Sequence, residues 1–292
     1  MATPKKKKNQ EPPTTGHSWD GIEEFDNPMP RWWLWTFYLT IIWAVIYMIL
    51  YPAWPLLNSA TSGLLGYSSR AEVAADIARF DEANQVWYDQ LMATDPAAIR
   101  DNADLQSFAV NAGGAVFLAQ CSQCHGQGAD GIRVGSGFPN LNDDEWMWGG
   151  TLEDIEQTVA YGIRNDDFAD ARWSEMPAFG RDELLTDIEI DQVVNHVLAI
   201  SGQDYDQALA DAGAEVFDVS CSSCHGVNGE GDIFSGAPPL NNAIWLYGGD
   251  AADIRESVVN ARFGIMPGFA ERLPAAQIRA VAAYIHQLGG GQ

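Results

Sequence analysis

The sequence predicts a mainly α-helical protein, with one N-terminal membrane-spanning helix followed by two tandem helical domains of equivalent design. Three observations predict it. Residues 32–51, WWLWTFYLTIIWAVIYMILY, run for twenty positions without a charge, about the 20 residues a helix needs to cross the hydrocarbon core of a bilayer. The chain beyond residue 103 repeats itself in register. Each copy carries one Cys-x-x-Cys-His, and together the two use all four cysteines.

The membrane segment has the expected flanks. Trp32, Trp33 and Trp35 mark one interface and Tyr51 with Trp54 the other, as amphipathic rings do at headgroup level. Lys5, Lys6, Lys7 and Lys8 precede it, which orients a single-pass helix over residues 31–54 with its amino terminus in the cytoplasm. Residues 1–30 read as a polar cytoplasmic tail, broken by Pro12, Pro13, Pro28 and Pro30, with a short juxtamembrane contact element over 21–31. Residues 55–103 form a linker and an amphipathic helix. That helix is predicted from Ser69, where Ser69 and Glu72 have capping-box spacing, and Val73, Ile77, Phe80, Trp87 and Leu91 recur at helical intervals.

The repeats occupy 104–202 and 207–292. Ala112-Gly113 and Val116-Phe117 return as Ala212-Gly213 and Val216-Phe217, Pro139 as Pro238, Trp146 as Trp245, and Asp154-Ile155 as Asp253-Ile254. Each copy closes on an apolar helical pattern, over 188–200 and over 278–288. An extra loop, 165–173, lengthens the first copy.

Cys121-Ser122-Gln123-Cys124-His125 and Cys221-Ser222-Ser223-Cys224-His225 are attachment signatures for c-type haem. Two thiols on one helical turn each reach a vinyl group, and the adjacent histidine lies beneath the iron. Two covalently bound haem c groups are therefore expected, with His125 and His225 as proximal ligands. A thioether on the opposite face favours ferrous iron and suits electron transfer. One Met-Pro follows each motif: Met176-Pro177 and Met266-Pro267, 51 and 41 residues beyond the histidines. Met147 competes in the first copy, but Leu246 stands in its place in the second. The residues alone leave open whether Met176 and Met266 serve the haem of their own copy or of the other one. His196 aligns with Tyr284 and reads as packing, while His17 and His286 lie near the chain ends. Pro139 and Pro238 are expected to offer their carbonyls to the proximal imidazoles. Arg164 and Arg262 are candidates to pair with haem propionates.

CxxCH near the start of a domain, Pro-x-Leu next and Met-Pro before a closing helix resemble the class I cytochrome c fold. A more specific resemblance spans nearly the whole chain. His17-Ser18-Trp19-Asp20-Gly21-Ile22-Glu23-Glu24, Asn27-Pro28, Pro30-Arg31-Trp32-Trp33-Leu34-Trp35, Tyr51-Pro52, two c-type haem domains and the terminal AVAAYIHQLGGGQ are similar to the dihaem subunits of cbb3-type cytochrome c oxidases, the CcoP or FixP type. This chain has one hydrophobic span, as in the shorter members. The resemblance implies an electron relay in the bacterial inner membrane with periplasmic haem domains. Its partners would be membrane lipid, a catalytic haem–copper subunit and a monohaem cytochrome c subunit of a proton-pumping oxidase. Its donor would be a soluble or anchored basic cytochrome c or a bc1-type complex. With one span and no intramembrane histidine, the chain would have no oxygen-reduction site and no catalytic residue of its own.

Charge supports part of this. Residues 58–292 carry eleven arginines, no lysine and thirty-five acids, and account for the whole net charge of −24. Such a surface repels nucleic acid and attracts cationic partners. The competing readings are a free-standing membrane-anchored dihaem carrier, a dihaem peroxidase or gas sensor with an open iron, and a zinc protein.

Overall fold

The computed structural model describes residues 12–131 and 135–289. It divides into two units, Met1–Asp81 and Glu82–Gln292.

In the first unit, strands β1 (Thr14–Trp19) and β2 (Ile22–Phe25) pair antiparallel, with Trp19 opposite Ile22. The tail, read from the sequence as polar and broken by prolines, contains a hairpin over 14–25. Asp20 and Gly21 have φ of 51° and 81°, the two left-handed residues that a type I′ turn needs. Helix α1 (Arg31–Leu50) follows Pro30 at its N-cap. Its 20 residues rise about 30 Å at 1.5 Å each, and it is long and apolar enough to cross a membrane. None of its residues is buried within the chain. After Tyr51 the chain folds back, so that the Leu64 and Leu65 amides donate to the Ile49 and Leu50 carbonyls at 2.9 and 3.1 Å. Those carbonyls would otherwise end the helix without partners.

Helix α2 (Ser69–Ala93) starts where predicted, but its cap lies one residue earlier. The Ser68 hydroxyl accepts from the Ala71 amide at 3.3 Å, and the expected Ser69–Glu72 box is not formed.

The second unit contains a 3₁₀ turn (Pro96–Asp101), α3 (Ala103–Gln120), α4 (Ser122–His125), α5 (Leu152–Tyr161), α6 (Asp187–Ile200), α7 (Gln207–Ser220), α8 (Ser222–His225), α9 (Ala251–Asn260) and α10 (Ala275–His286). Short polar side chains start these helices as a sequence would specify. Asn102, Thr151, Asp206 and Asp250 accept from the amide three residues on. Thr186 and Glu189 complete a reciprocal capping box at α6.

The cores do not follow the sequence order. One is built from Leu105, Ala109 and Phe117 of α3, Ile155 and Val159 of α5, and Ile278, Val281 and Ile285 of α10. The other combines Phe217 of α7, Ile254 and Val258 of α9, and Ile190, Val193 and Val197 of α6. Each repeat thus sends its closing helix into the core of the other. The repeats 104–202 and 207–292 are continuous in sequence but are not the packing units. The physical reason lies in the repeat itself. α6 and α10 present the same kind of apolar face, Ile190, Val193 and Val197 on one and Ile278, Val281 and Ile285 on the other, so the local pattern does not name the core that each enters.

The crossings have defined backbone pairing. Ile163 and Met266 exchange both hydrogen bonds, at 2.9 and 3.0 Å, while the Arg172 amide donates to Gly162 at 3.0 Å. The Phe269 amide donates to the Ala160 carbonyl at 3.0 Å, which seats the Met266 loop on α5. Reciprocally, the Arg181 amide donates to Val259 at 2.9 Å, which seats the Met176 loop on α9.

Candidate haem sites

Each CxxCH occupies a short turn directly after a long helix. Cys121 closes α3 through a 2.8 Å bond from its amide to Phe117, and Cys221 closes α7 through the same bond to Phe217. The Cys124 and His125 amides then both donate to the Cys121 carbonyl, at 3.1 and 3.0 Å, and Cys224 and His225 do the same to Cys221. Gly126 and Gly226, with φ of 80° and 76°, end the two turns where a side chain would be strained. Thiol, thiol and imidazole are thereby held within one turn.

The imidazoles are oriented from behind. His125 Nδ1 lies 3.3 Å from the Pro139 carbonyl and His225 Nδ1 2.9 Å from the Pro238 carbonyl. That contact makes Nδ1 the donor and leaves the Nε2 lone pair for a metal. Burial holds both histidines below their usual pKa, which keeps them in the neutral form that ligation requires. Cys121 and Cys221 are pushed up to about 11, chiefly by burial, and all four thiols are free. Among the described residues, no group of three or more His, Cys, Asp or Glu side chains is arranged to hold a metal ion.

The methionines sit across the exchange. Met266 packs against the core that contains Cys121, and Met176 against the core beside Cys221. Met147 belongs to neither. His196 packs tilted against Phe217, with centroids 5.0 Å apart and planes at 46°, as Tyr284 does against Phe117 at 5.4 Å and 45°. The packing role read for His196 fits this geometry.

The two arginines expected near the propionates are both tied to protein groups. Arg262 binds Asp253 and lies over the Tyr247 ring, 5.1 Å from its centroid. Its structural counterpart is Arg172, which binds Asp154 at 3.0 Å and lies 5.8 Å from the Trp148 ring. Arg164 donates to the backbone carbonyls of Ser174 and Gly264 instead. Arg172 sits inside the extra loop of the first repeat, so its role was missed. The signal that could have found it is the repeated aspartate, Asp154 and Asp253, which each arginine binds.

The pocket chemistry fits a haem. Among the described residues, two buried side-chain donors lack a protein partner, Trp146 Nε1 and Arg172 Nε. Trp146 packs on the core that holds Cys121, and Arg172 is tied to Asp154 on α5 of that core. Unpaired buried donors are costly, and anionic carboxylates such as haem propionates would satisfy both.

Comparison with known proteins identifies the same kind of domains. Residues 11–58 match the family model for the N-terminal domain of cytochrome oxidase-cbb3, FixP. Residues 108–197 match cytochrome C oxidase, cbb3-type, subunit III, and residues 210–289 match cytochrome c. The chain is 58% identical over 289 residues to the cbb3-type cytochrome c oxidase subunit CcoP of Cereibacter sphaeroides, covering 99% of both chains. It is 51% identical to that of Rhodobacter capsulatus over 96% of both chains. It is 46% identical to the subunit FixP of a Bradyrhizobium species, over 96% of this chain and 95% of the relative. A membrane-length helix, two cytochrome c domains and full-length similarity at this level leave one assignment: the chain belongs to the CcoP/FixP family of cbb3-type cytochrome c oxidase subunits.

Proposed function

We propose that this electron-transfer subunit works as a two-site relay, with one haem c on Cys121 and Cys124 and a second on Cys221 and Cys224. His125 and Met266 would hold the iron of the first, and His225 and Met176 that of the second. The observation that carries the crossed assignment is the seating of the Met266 loop on α5, beside the core that holds Cys121. A haem held at each site supplies reversible one-electron chemistry. The chain's own residues do the rest. Pro139 and Pro238 orient the imidazoles, burial keeps them neutral, and the thioether sulfurs favour the reduced state.

The membrane helix anchors the relay to the inner membrane. Lys5, Lys6, Lys7 and Lys8, which lie outside the described residues, favour a cytoplasmic amino terminus, and CxxCH attachment suits the periplasmic side. Helix α1 has no histidine, so the haem–copper site that reduces oxygen and pumps protons belongs to a catalytic partner subunit. Electrons reach it through a monohaem cytochrome c subunit, after delivery by a basic cytochrome c or a bc1-type complex.

The test is purification of the membrane complex. Two covalent haem c per copy of this chain, beside haem b of the catalytic subunit, support the reading. Migration of the chain alone in mild detergent, with both haems, would instead identify a free-standing carrier. In this chain purified with both of its haems, the near-infrared band of methionine on ferric haem should halve in Met176→Leu and in Met266→Leu. An unchanged band in both would remove the methionines from the site.

A further inference from the structure

Arg164 follows the end of α5 with φ of 50°, a conformation that non-glycine residues seldom adopt. Its backbone amide donates to the Arg172 carbonyl at 2.7 Å, which fixes the start of the side chain. The guanidinium then spans two separate stretches of chain. Nε donates to the Ser174 carbonyl at 2.6 Å, and Nη1 donates to the Gly264 carbonyl at 3.0 Å. Ser174 stands two residues before Met176, and Gly264 two residues before Met266. One side chain therefore holds the approach to both methionines.

The position is particular to Arg164. Aligning α5 with α9 places Phe263 at the equivalent point of the second repeat, and the Arg164 guanidinium lies 5.4 Å from the Phe263 ring centroid. Equivalent residues touch where the two repeats face one another, so a single group there can reach both crossing segments. The second repeat supplies an aromatic platform instead of a second arginine. A guanidinium suits the task because its planar donors diverge at fixed angles, whereas an ammonium is a point charge on a flexible stem. Burial lowers the pKa of Arg164, but an arginine stays protonated throughout the physiological range.

We propose that Arg164 is a shared positioning residue for the two axial methionines, holding the segments ahead of Met176 and Met266 so that both thioether sulfurs are presented to their irons together. The proposal rests on the reading of those methionines as ligands. It adds that the two ligands are coupled through one side chain, although they serve different haems.

The test uses the full-length chain with both haems attached and reads imidazole displacement of the methionines from ferric iron. The two phases are assigned by comparison with Met176→Leu, which keeps one methionine-ligated haem. In Arg164→Gln, imidazole should displace methionine from both haems at about tenfold lower concentration, the scale of losing a hydrogen bond to a charged group. Arg164→Lys keeps the charge without the fork. It should weaken both haems as well, which separates positioning from a simple field effect and remains informative if the glutamine variant fails to fold. Wild-type affinity at both haems in Arg164→Lys, or weakening at one haem only in either variant, overturns the proposal. Absence of the methionine band from the wild-type protein would overturn the ligand reading itself, a separate outcome.

Discussion

Gly113 on α3 lies against the backbone carbonyl of Ala280 on α10, with no room between them for a Cβ. Gly213 on α7 meets the carbonyl of Gln192 on α6 in the same way. The repeated Ala-Gly pair is thus the point where each repeat receives the closing helix of the other. A side chain at either position must push two helices apart, and overpacking of this kind costs about 1–3 kcal/mol.

The effects should be selective. Gly113→Ala is expected to lower the melting temperature and loosen α10, and with it the Met266 loop, so the haem at His125 loses its methionine first on heating. Gly213→Ala should loosen α6 and expose the haem at His225 first. Following the near-infrared band through thermal unfolding of both variants checks this. Equal loss at both haems in each variant would count against helix-specific coupling.

The ion pairs that fasten the exchanged helices differ in depth. Arg279 of α10 grips Glu156 of α5 through two bonds at 2.9 and 3.2 Å, with side-chain exposures of 15% and 21%. It also donates to the Leu91, Met92 and Thr94 carbonyls. Arg279→Ala would strand a largely buried carboxylate and three carbonyls, a loss of about 2–4 kcal/mol. Arg255 makes the corresponding tie from α9 to Asp187 and Asp191 on α6, but in the open. Its removal should cost at most about 1 kcal/mol. Urea unfolding of the two variants side by side measures the contrast.

The cytochrome c character of the two repeats was legible in the sequence, because CxxCH is a local pattern whose spacing carries its geometry. The membrane helix and the closing helices were legible for the same reason, since length and apolar period are local properties. Partner choice is not. Ile190 and Ile278 each announce a buried face, but nothing in that period says whether the face meets α3 or α7. The identity of Arg172 was hidden by the loop at 165–173, which shifts the register between repeats. The Asp20–Gly21 hairpin did carry its turn signal. Strands as polar as β1, all of whose residues are exposed, do not show the alternation that would have drawn attention to it.

The charge distribution predicts a dependence on ionic strength. Thirty-five acids against eleven arginines beyond residue 57 give a field that steers a cationic donor toward this part of the chain. The Debye length falls from about 30 Å at 0.01 M salt to about 8 Å at 0.15 M. Stopped-flow reduction of the complex by a basic cytochrome c should therefore slow steeply over that range. A flat rate would leave the acids with a solubility role alone.

The crossed ligand assignment is the centre of this account, and a chain with a single haem tests it most directly. Cys121→Ala with Cys124→Ala removes the first attachment site and leaves one haem on Cys221 and Cys224, with His225 beneath it. In that background, Met176→Leu should abolish the near-infrared methionine band and lower the remaining midpoint potential, while Met266→Leu should leave both as they were. Loss of the band in Met266→Leu, with Met176→Leu unaffected, would show that each haem takes the methionine of its own repeat, and would contradict the exchange.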